Sequence, residues 1–154
     1  TSFDCADIIT WHKSNALPNN CSPNRLTRIC EYVFVFCRKK EFYTFHSNKI
    51  VTSTRSGTKQ KMYSSIPNYI RAKNNDGICP FNKATFSTDF CTQLIYMYAK
   101  ENAVIYDPFM GSGTTAIACL MNGRSFIGSE ISENQFRFAE ERIEDYLKEH
   151  KKEE

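Results

Sequence analysis

The arrangement of apolar and polar residues predicts two strands near the start of the chain. The almost uninterrupted apolar run Glu31–Cys37 is typical of a strand that is buried on both faces. The shorter β-branched run within Asp7–Lys13 predicts another strand, and the stretch Ser14–Asn24, rich in Asn, Pro and Ser, predicts a loop between them. Residues 38–82 have weak periodicity and many polar side chains. Within them we expect Thr52–Lys61 to be mobile or to become ordered only on a ligand.

The second half of the chain alternates between helix and strand signals. Ser87 is a suitable N-cap, and apolar residues then recur at helical spacing as far as Tyr98. The pattern continues with a strand at 103–106, a helix at 114–121, a strand at 125–129, a capping box at Ser132–Gln135 and a last helix. Such an alternation predicts an α/β layer with parallel strands.

The composition is that of one folded domain. The chain has 154 residues, of which 41% are hydrophobic and 14% aromatic, and this is enough for a packed core. No apolar run approaches the ~18 residues of a membrane span, so we expect no membrane partner. The seven cysteines form no CxxC pair, and His12, His46 and His150 are far apart. We therefore expect no metal site.

The cysteines also bear on the cellular compartment. Structural disulfides are rare in the cytoplasm, where free cysteines behave as small buried apolar residues. The odd number of cysteines favours such a protein, so we expect a cytoplasmic location. The thiols that lie in apolar stretches, and that we expect to be buried and reduced, are Cys5, Cys30, Cys37, Cys91 and Cys119.

Positive charge is concentrated in the middle of the chain. Residues 13–100 hold 14 Lys and Arg against 4 Asp and Glu, whereas residues 140–154 hold 4 against 7. The basic side chains are interleaved with Tyr, Phe, Asn and Ser. This pattern suits a nucleic-acid backbone, although a solvated surface looks the same. The candidate nucleic-acid contacts are Arg25, Arg28, Arg38, Lys39, Lys40, Lys59 and Lys61.

The densest chemistry lies in Val104–Glu130. A predicted strand ends at the acid Asp107, a Gly-Ser-Gly turn opens a helix, and the next strand ends at a second acid, Glu130. Gly111 and Gly113 would let the backbone approach a ligand, and the helix start leaves N–H donors free. An acid at the end of the second strand is placed to accept hydrogen bonds from ribose hydroxyls. The pattern predicts a nucleotide-type ligand at the strand ends.

The position of Asp107 distinguishes two kinds of nucleotide. Gly111–Ala116 fits the relaxed dinucleotide fingerprint G-x-G-x-x-A, so a nicotinamide-dependent oxidoreductase is an alternative. In that fingerprint, however, the first glycine closely follows the strand, and an acid at the strand tip would repel a pyrophosphate. S-adenosylmethionine carries an ammonium group, a sulfonium and a ribose diol but no phosphate. We therefore expect S-adenosylmethionine, with Asp107 beside the turn and Glu130 on the ribose.

The string Asp107-Pro-Phe-Met-Gly-Ser-Gly-Thr-Thr115 resembles the cofactor motif of the amino-group DNA methyltransferases of the permuted beta class. Phe126–Ile131 is similar to the strand that follows it, with its ribose-binding acid. Asn82–Ser87 resembles the segment whose backbone touches the methionine end of the cofactor. Near the start, Trp11–Phe36 resembles the last hairpin of that family's sheet. The resemblance covers most of the chain apart from about residues 41–78.

The resemblance implies a fold, a cofactor and a reaction. The fold is a Rossmann-like S-adenosylmethionine-dependent methyltransferase fold. The reaction is methyl transfer to the exocyclic amino group of adenine or cytosine in double-stranded DNA, after the base has been flipped out of the duplex. The implied cofactor-binding residues are Lys83, Ala84, Thr85, Phe86, Asp107, Pro108, Phe109, Gly111, Ser112, Gly113, Thr114, Thr115 and Glu130.

Two aromatic residues leave a choice of role. Trp11 could stack near the flipped base, but a tryptophan at a strand end is more often part of the core, and we expect that position. Phe109 could pack on the cofactor or belong to the core, and the sequence favours neither.

The catalytic motif of that family is absent from these 154 residues. It consists of an acid or serine followed by Pro-Pro and an aromatic residue, and no such string occurs here, so the catalytic residues are unassigned. In the family, the strands that carry this motif lie between the early hairpin and the cofactor strand. Without those strands, we expect Val33–Phe36 and Val104–Tyr106 to lack neighbours on one side. Because unpaired buried strands are costly, this predicts that other strands complete the sheet.

These expectations define the predicted organisation. We expect the chain, which begins at Thr1 without Met, to be the C-terminal part of an enzyme and to be inactive alone. The missing strands would lie on an absent segment or on a second chain; in the second case this chain is a non-catalytic subunit that completes an active site in trans. The predicted units are 1–40 (hairpin), 41–82 (target recognition), 83–150 (cofactor binding) and 151–154 (charged tail). The target base and the recognition sequence stay open.

Overall fold

The computed structural model describes residues 2–42 and 47–150, which form seven strands and three α-helices. The strands are β1 (Phe3–Lys13), β2 (Cys30–Arg38), β3 (Val51–Thr54), β4 (Lys61–Tyr63), β5 (Tyr69–Ala72), β6 (Val104–Asp107) and β7 (Ser125–Gly128). The helices are α1 (Thr88–Tyr98), α2 (Thr114–Met121) and α3 (Glu133–His150), and a short 3₁₀ turn (Lys39–Glu41) follows β2. The predicted alternation of helices and strands after Ser87 is confirmed.

The strands form three separate sheets. The first has the order β2-β1-β5, in which β1 is antiparallel to β2 and parallel to β5. The second is the β3-β4 hairpin, and the third is the parallel pair β6-β7. The parallel arrangement of the last two strands was predicted.

Helix α1 joins the first and third sheets and defines their relative direction. Its first turn packs on the end of β1, where the rings of Phe90 and Trp11 stack with centroids 4.2 Å apart. Its last turn lies over the first half of β1, where Tyr98 Oη donates to Asp7 Oδ2 at 3.1 Å. Trp11 is 6% exposed, so the prediction that it belongs to the core is confirmed.

Helix α1 is also antiparallel to the strands of the third sheet, as it is to β1. Cys91, in its first half, hydrogen-bonds with Thr115 near the end of β6. At its other end, the Ala99 carbonyl accepts from Arg124, next to the start of β7, at 3.1 Å. Strands β1, β5, β6 and β7 therefore all point in one direction. Their carboxyl ends share one edge of the molecule, which we call the turn edge because the turn after Asp107 lies there.

An open groove separates the first and third sheets. Strands β2 and β6 face it as edge strands, and within the described residues neither pairs with another strand on that side. The groove has a volume of about 700 Å³ and is lined by Val33–Phe36, residues of α1 and Val104–Ile105. The expectation that these two strands lack neighbours is confirmed.

Within residues 2–42 and 47–150, helices cover one face of the first and third sheets and leave the other face open. Val33 and Val35 pack against the core on the α1 side, whereas Tyr32, Phe34 and Phe36 on the opposite face are 68%, 55% and 62% exposed. The prediction that Glu31–Cys37 is buried on both faces is therefore wrong. The third sheet is similar, because Ile105 and Phe126 face the helices while Val104, Tyr106 and Ile127 are exposed.

The segment Thr52–Lys61, which we expect to be mobile or to become ordered only on a ligand, forms most of the β3-β4 hairpin. Two smaller expectations are corrected. Cys5 and Cys30 are exposed, because they lie near strand ends, while Cys79 is buried in addition to Cys37, Cys91 and Cys119. In place of the capping-box bond to Gln135, the Ser132 N–H donates to Glu130 Oε1, and Gln135 accepts from Asn82.

The described part of the chain contains no helix that is long and apolar enough to cross a membrane. Within the same residues, no group of His, Cys, Asp and Glu side chains could hold a metal ion. His46 and the predicted tail 151–154 lie outside the described residues.

Candidate ligand site at the glycine turn

The site begins where the two parallel strands β6 and β7 end side by side. The Ser129 N–H donates to the Asp107 carbonyl at 3.1 Å, and the Met110 N–H donates to the Ser129 carbonyl at 2.9 Å. These bonds continue the pairing of the sheet beyond the strands. They hold Asp107 and Glu130, the two predicted acids, on neighbouring strand tips.

The carboxylate of Asp107 is held in one orientation by its own turn. Oδ2 accepts from Thr115 Oγ1 at 2.6 Å, and Oδ1 accepts from the Phe109 N–H at 3.0 Å. Thr115 is buried and lies in the first turn of α2. Each oxygen keeps a further lone pair for a ligand, because an ionised carboxylate offers about four acceptor positions.

Glu130 binds the turn from the other side. Oε2 accepts from the Gly111 N–H at 2.8 Å, and Oε1 accepts from the Ser132 N–H at 2.8 Å. A negative charge therefore lies on each side of the glycine turn. The two acids and the two glycines that the sequence predicted are brought together.

Gly111 and Gly113 have different surroundings. Both have a positive φ, +54° at Gly111 and +77° at Gly113, which non-glycine residues rarely adopt. A Cβ at Gly111 would make ordinary van der Waals contacts, 3.7 Å from Gln135 Oε1 and 3.8 Å from the Phe109 carbonyl oxygen, so there is room for it. A Cβ at Gly113 would lie 3.0 Å from the Ala139 Cβ of α3. Gly113 therefore serves helix packing, whereas the close approach of a ligand at Gly111 stays a prediction.

Two large apolar side chains stand exposed beside the acids. Phe109 is 86% exposed and Ile131 is fully exposed. Exposed apolar side chains at a turn next to two acids suit contact with the flat ring of a ligand. The structure therefore excludes the core role for Phe109. Sequence reasoning did not single out Ile131 as a site residue, although its place directly after the strand-end acid was a usable signal.

The remaining turn residues are less accessible. Ser112, Thr114 and Thr115 are all buried, and Ser112 Oγ lies 3.4 Å from Thr114 Oγ1. Burial raises the pKa of the Cys91 thiol beneath Thr115 to about 12, and the hydrogen bond with Thr115 offsets part of the rise. Cys91 is therefore a neutral packing residue under the site.

The segment Lys83–Phe86 is held near the turn by asparagine side chains. Asn82 Nδ2 donates to Gln135 Oε1 of α3 at 3.3 Å, while Asn82 Oδ1 accepts from the Ala84 N–H at 2.8 Å. Asn75 Nδ2 donates to the Lys83 carbonyl at 2.9 Å. Phe86 packs against the buried residues around Trp11 and Phe90 and against those around Cys91 and Ala118, so its side chain stabilises the fold.

The candidate nucleic-acid contacts lie in separate places. Arg25 and Arg28 are exposed in the loop that joins β1 to β2, at the turn edge. Arg38–Lys40 lie beside the start of β1, since Phe3 pairs with Arg38, and this is the opposite edge of the sheet. Lys59 and Lys61 are exposed on the β3-β4 hairpin. The residues just before that hairpin contact the last turn of α1, because Asn48 Nδ2 donates to the Tyr96 and Ala99 carbonyls.

Comparison with known proteins identifies the family. A family model described as DNA methylase matches residues 2–141. The chain belongs to this family of DNA methylases. The membership agrees with the resemblance to amino-group DNA methyltransferases and gives no support to the nicotinamide alternative.

Curated relatives extend over most of this chain. The orphan methyltransferase M.BamHII of Bacillus amyloliquefaciens is 30% identical over 178 residues, covering 97% of this chain and 66% of the relative. The type II methyltransferase M.SmaI of Serratia marcescens is 30% identical over 138 residues, covering 89% of this chain and 45% of the relative. The DNA methylase chain thus spans less than two thirds of the length of these relatives.

Solved structures share the fold. The crystal structure of an M1.HpyAVI–SAM complex superposes with a TM-score of 0.64 at 25% identity, covering 92% of this chain and 63% of the other. The cytosine-N4-specific PvuII DNA methyltransferase superposes with a TM-score of 0.65 at 19% identity, covering 93% and 56%. The expected fold class, an incomplete Rossmann-like methyltransferase fold, is confirmed.

Proposed function

We propose that the protein carrying this chain is a site-specific DNA methyltransferase that transfers a methyl group from S-adenosylmethionine to an exocyclic amino group of adenine or cytosine. One observation carries the proposal: Asp107 and Glu130 lie on neighbouring strand tips on both sides of the glycine turn. The membership of the DNA methylase family gives the reaction class.

The residues at the turn fit S-adenosylmethionine and not a pyrophosphate. Two carboxylates attract an ammonium group and a sulfonium, and they repel phosphates. Glu130 is the acceptor for the ribose hydroxyls, and Asp107 faces the cationic part. The exposed side chains of Phe109 and Ile131 offer apolar surface to the adenine ring. The backbone of Lys83–Phe86 is proposed for the methionine end.

The chain's residues contribute mainly by positioning. When bound, S-adenosylmethionine supplies a methyl group on a positively charged sulfur, which an amino nitrogen can attack. Asp107 is fixed by Thr115, and Glu130 by two backbone N–H groups, so both charges are oriented before the ligand arrives. Such preorganisation avoids the cost of ordering side chains on binding.

The groove between β2 and β6 is the proposed place for the missing catalytic part. We infer that strands carrying an acid or serine followed by Pro-Pro and an aromatic residue pair with both open edges, from another segment or a second chain. Unpaired strand edges and a 700 Å³ apolar groove support this, because both are costly in water. The exposed face of Phe34 and Phe36 would be covered at the same time.

Double-stranded DNA is the proposed partner. Arg25 and Arg28 lie at the turn edge and are placed to hold phosphates near a flipped base. Arg38–Lys40, Lys59 and Lys61 stay candidates, and their contacts would require DNA to extend beyond the turn edge. We also infer a cytoplasmic location, which seven free thiols and a DNA substrate favour.

Two measurements test the proposal. Calorimetric titration of this chain with S-adenosylmethionine and then with NAD should give heat with the first ligand alone. The full protein, or this chain mixed with its partner chain, should transfer radiolabelled methyl to DNA, while this chain alone should not. Heat with NAD alone would contradict the proposal. So would methyl transfer to DNA by the 154 residues in the absence of the rest of the protein and of a partner chain.

A further inference from the structure

Arg142 of α3 makes a buried polar junction behind the glycine turn. Its side chain is 15% exposed. Nη1 donates to the Ser112 carbonyl at 3.1 Å and to Thr114 Oγ1 at 3.3 Å. Nη2 donates to Thr88 Oγ1 at 3.2 Å. One guanidinium group therefore contacts the turn before α2 and the first residue of α1.

The junction extends to the segment before α1 through Asp76. Its Oδ2 accepts from the Thr88 N–H at 2.8 Å and from Thr88 Oγ1 at 2.6 Å, and it lies 3.8 Å from Arg142 Nη2. Asp76 is thus bound to the same helix start that the guanidinium contacts. The two contacts together fix the distance between the glycine turn and the chain that enters α1.

The position of the Arg142 guanidinium is electrostatically unfavourable, which indicates that its hydrogen bonds serve a role. Arg142 lies at the amino ends of two helices, where the helix dipoles disfavour positive charge. Burial also lowers its pKa, and Asp76 opposes that shift. Only Asp76 provides a carboxylate at the junction among the described residues. A planar group with several donors is the side chain that can bind three acceptors on two elements at once.

We propose that Arg142 is a positioning residue for cofactor binding. It holds the backbone of the glycine turn and the segment that enters α1 at the spacing at which both contact the methionine end of the same ligand. The proposal rests on the proposed function, because it concerns that same site. Arg142 itself touches neither of the two carboxylates that face the ligand in any described contact.

The experiment compares two ligands that differ only at the methionine end. S-adenosylhomocysteine carries the amino-acid part, and 5′-methylthioadenosine lacks it. Binding of both is measured by calorimetry for the full protein and for the variants Arg142→Met and Arg137→Met. Arg137 lies on the same helix, is exposed and pairs only with Glu133 in its described ion pairs, so it is the matched control.

Selective loss is the expected result. Arg142→Met should weaken S-adenosylhomocysteine binding by about 10-fold or more, the size expected for hydrogen bonds from a charged group, and methylthioadenosine binding by less than about 3-fold. Arg137→Met should change neither. Hydrogen exchange should become faster in 82–88 and 110–114 and should stay unchanged in β1 and β2.

A second variant keeps the proposal testable if Arg142→Met fails to fold. Thr88→Val removes one acceptor and retains the arginine, and it should give the same selective loss at smaller size. If the wild-type protein binds both ligands, but the variants lose affinity equally for both or keep the wild-type affinity, the positioning role of Arg142 is wrong and the proposed function still stands. A wild-type protein that binds neither ligand would overturn the proposed function as well.

Discussion

Thr115 Oγ1 donates a hydrogen bond of 2.6 Å to Asp107 Oδ2, which ties the first turn of α2 to the carboxylate at the tip of β6. The two residues are eight positions apart and belong to different elements. Because Thr115 is buried, water competes little for this bond. The charge that we propose to face the cationic ligand is therefore held in place by the helix that follows it.

Removal of the Asp107 carboxylate should abolish binding of S-adenosylmethionine. Asp107→Ala takes away one of two negative charges at the turn. Thr115→Val keeps the charge but frees it to rotate, and it should weaken binding by about 10-fold, near the lower end of the value of one hydrogen bond to a charged group. Calorimetry measures both. Asp145→Ala, an exposed acid on α3, is the control and should bind normally; wild-type affinity in Asp107→Ala would contradict the site.

An alanine at Gly113 should destabilise the fold more than an alanine at Gly123. Both positions have a positive φ, +77° and +63°, so each substitution costs about 1–2 kcal/mol of backbone strain. At Gly113 the new Cβ also lies 3.0 Å from the Ala139 Cβ, and overpacking adds about 1–3 kcal/mol. At Gly123 nothing lies within 4 Å. Urea unfolding measures the difference, and equal losses would show that α3 does not pack on the turn.

The candidate site could be predicted from the sequence better than its surroundings. Asp107, Gly111 and Glu130, which lie together in the structure, were proposed as site residues because strand, turn and helix signals are local and follow one another within 27 residues. The junction of Arg142 and Asp76 could not be found in this way, since Arg142 contacts residues that lie 28 or more positions away in the sequence. The exposed face of Phe34 and Phe36 was predicted to be buried, because an apolar run does not show whether another element of the chain covers each face of the strand.

The thiols should separate into two classes at pH 8. Cys5, Cys21 and Cys30 are exposed and should react quickly with an aromatic disulfide reagent, and the four buried thiols should react slowly. Spectrophotometry counts the released thiolate. Fast reaction of Cys91, identified by mass spectrometry, would contradict its burial under Thr115.

The buried Cys91 thiol should also make the fold sensitive to alkali. Its pKa in the folded chain is about 12, raised from an ordinary value of 9.0. The folded state therefore keeps a proton that the unfolded state loses, so this contribution is complete below pH 9 and is lost as the pH rises from 9 towards 12. The free energy of unfolding should decline less steeply across this range in Cys91→Ala. An identical decline in both proteins would exclude Cys91 as a source.

The two basic clusters should differ in their effect on DNA binding. If DNA lies at the turn edge, Arg25→Ala with Arg28→Ala should weaken binding and reduce the slope of log K against log salt by about 2, because two phosphate contacts are lost. Lys39→Ala with Lys40→Ala removes the same charge from the opposite edge, so comparison of the two pairs shows which edge DNA contacts. Fluorescence anisotropy at several salt concentrations measures both slopes, and neither pair should change cofactor affinity. If the lysine pair alone reduces the slope, DNA lies along the opposite edge, and the role of Arg25 and Arg28 is wrong.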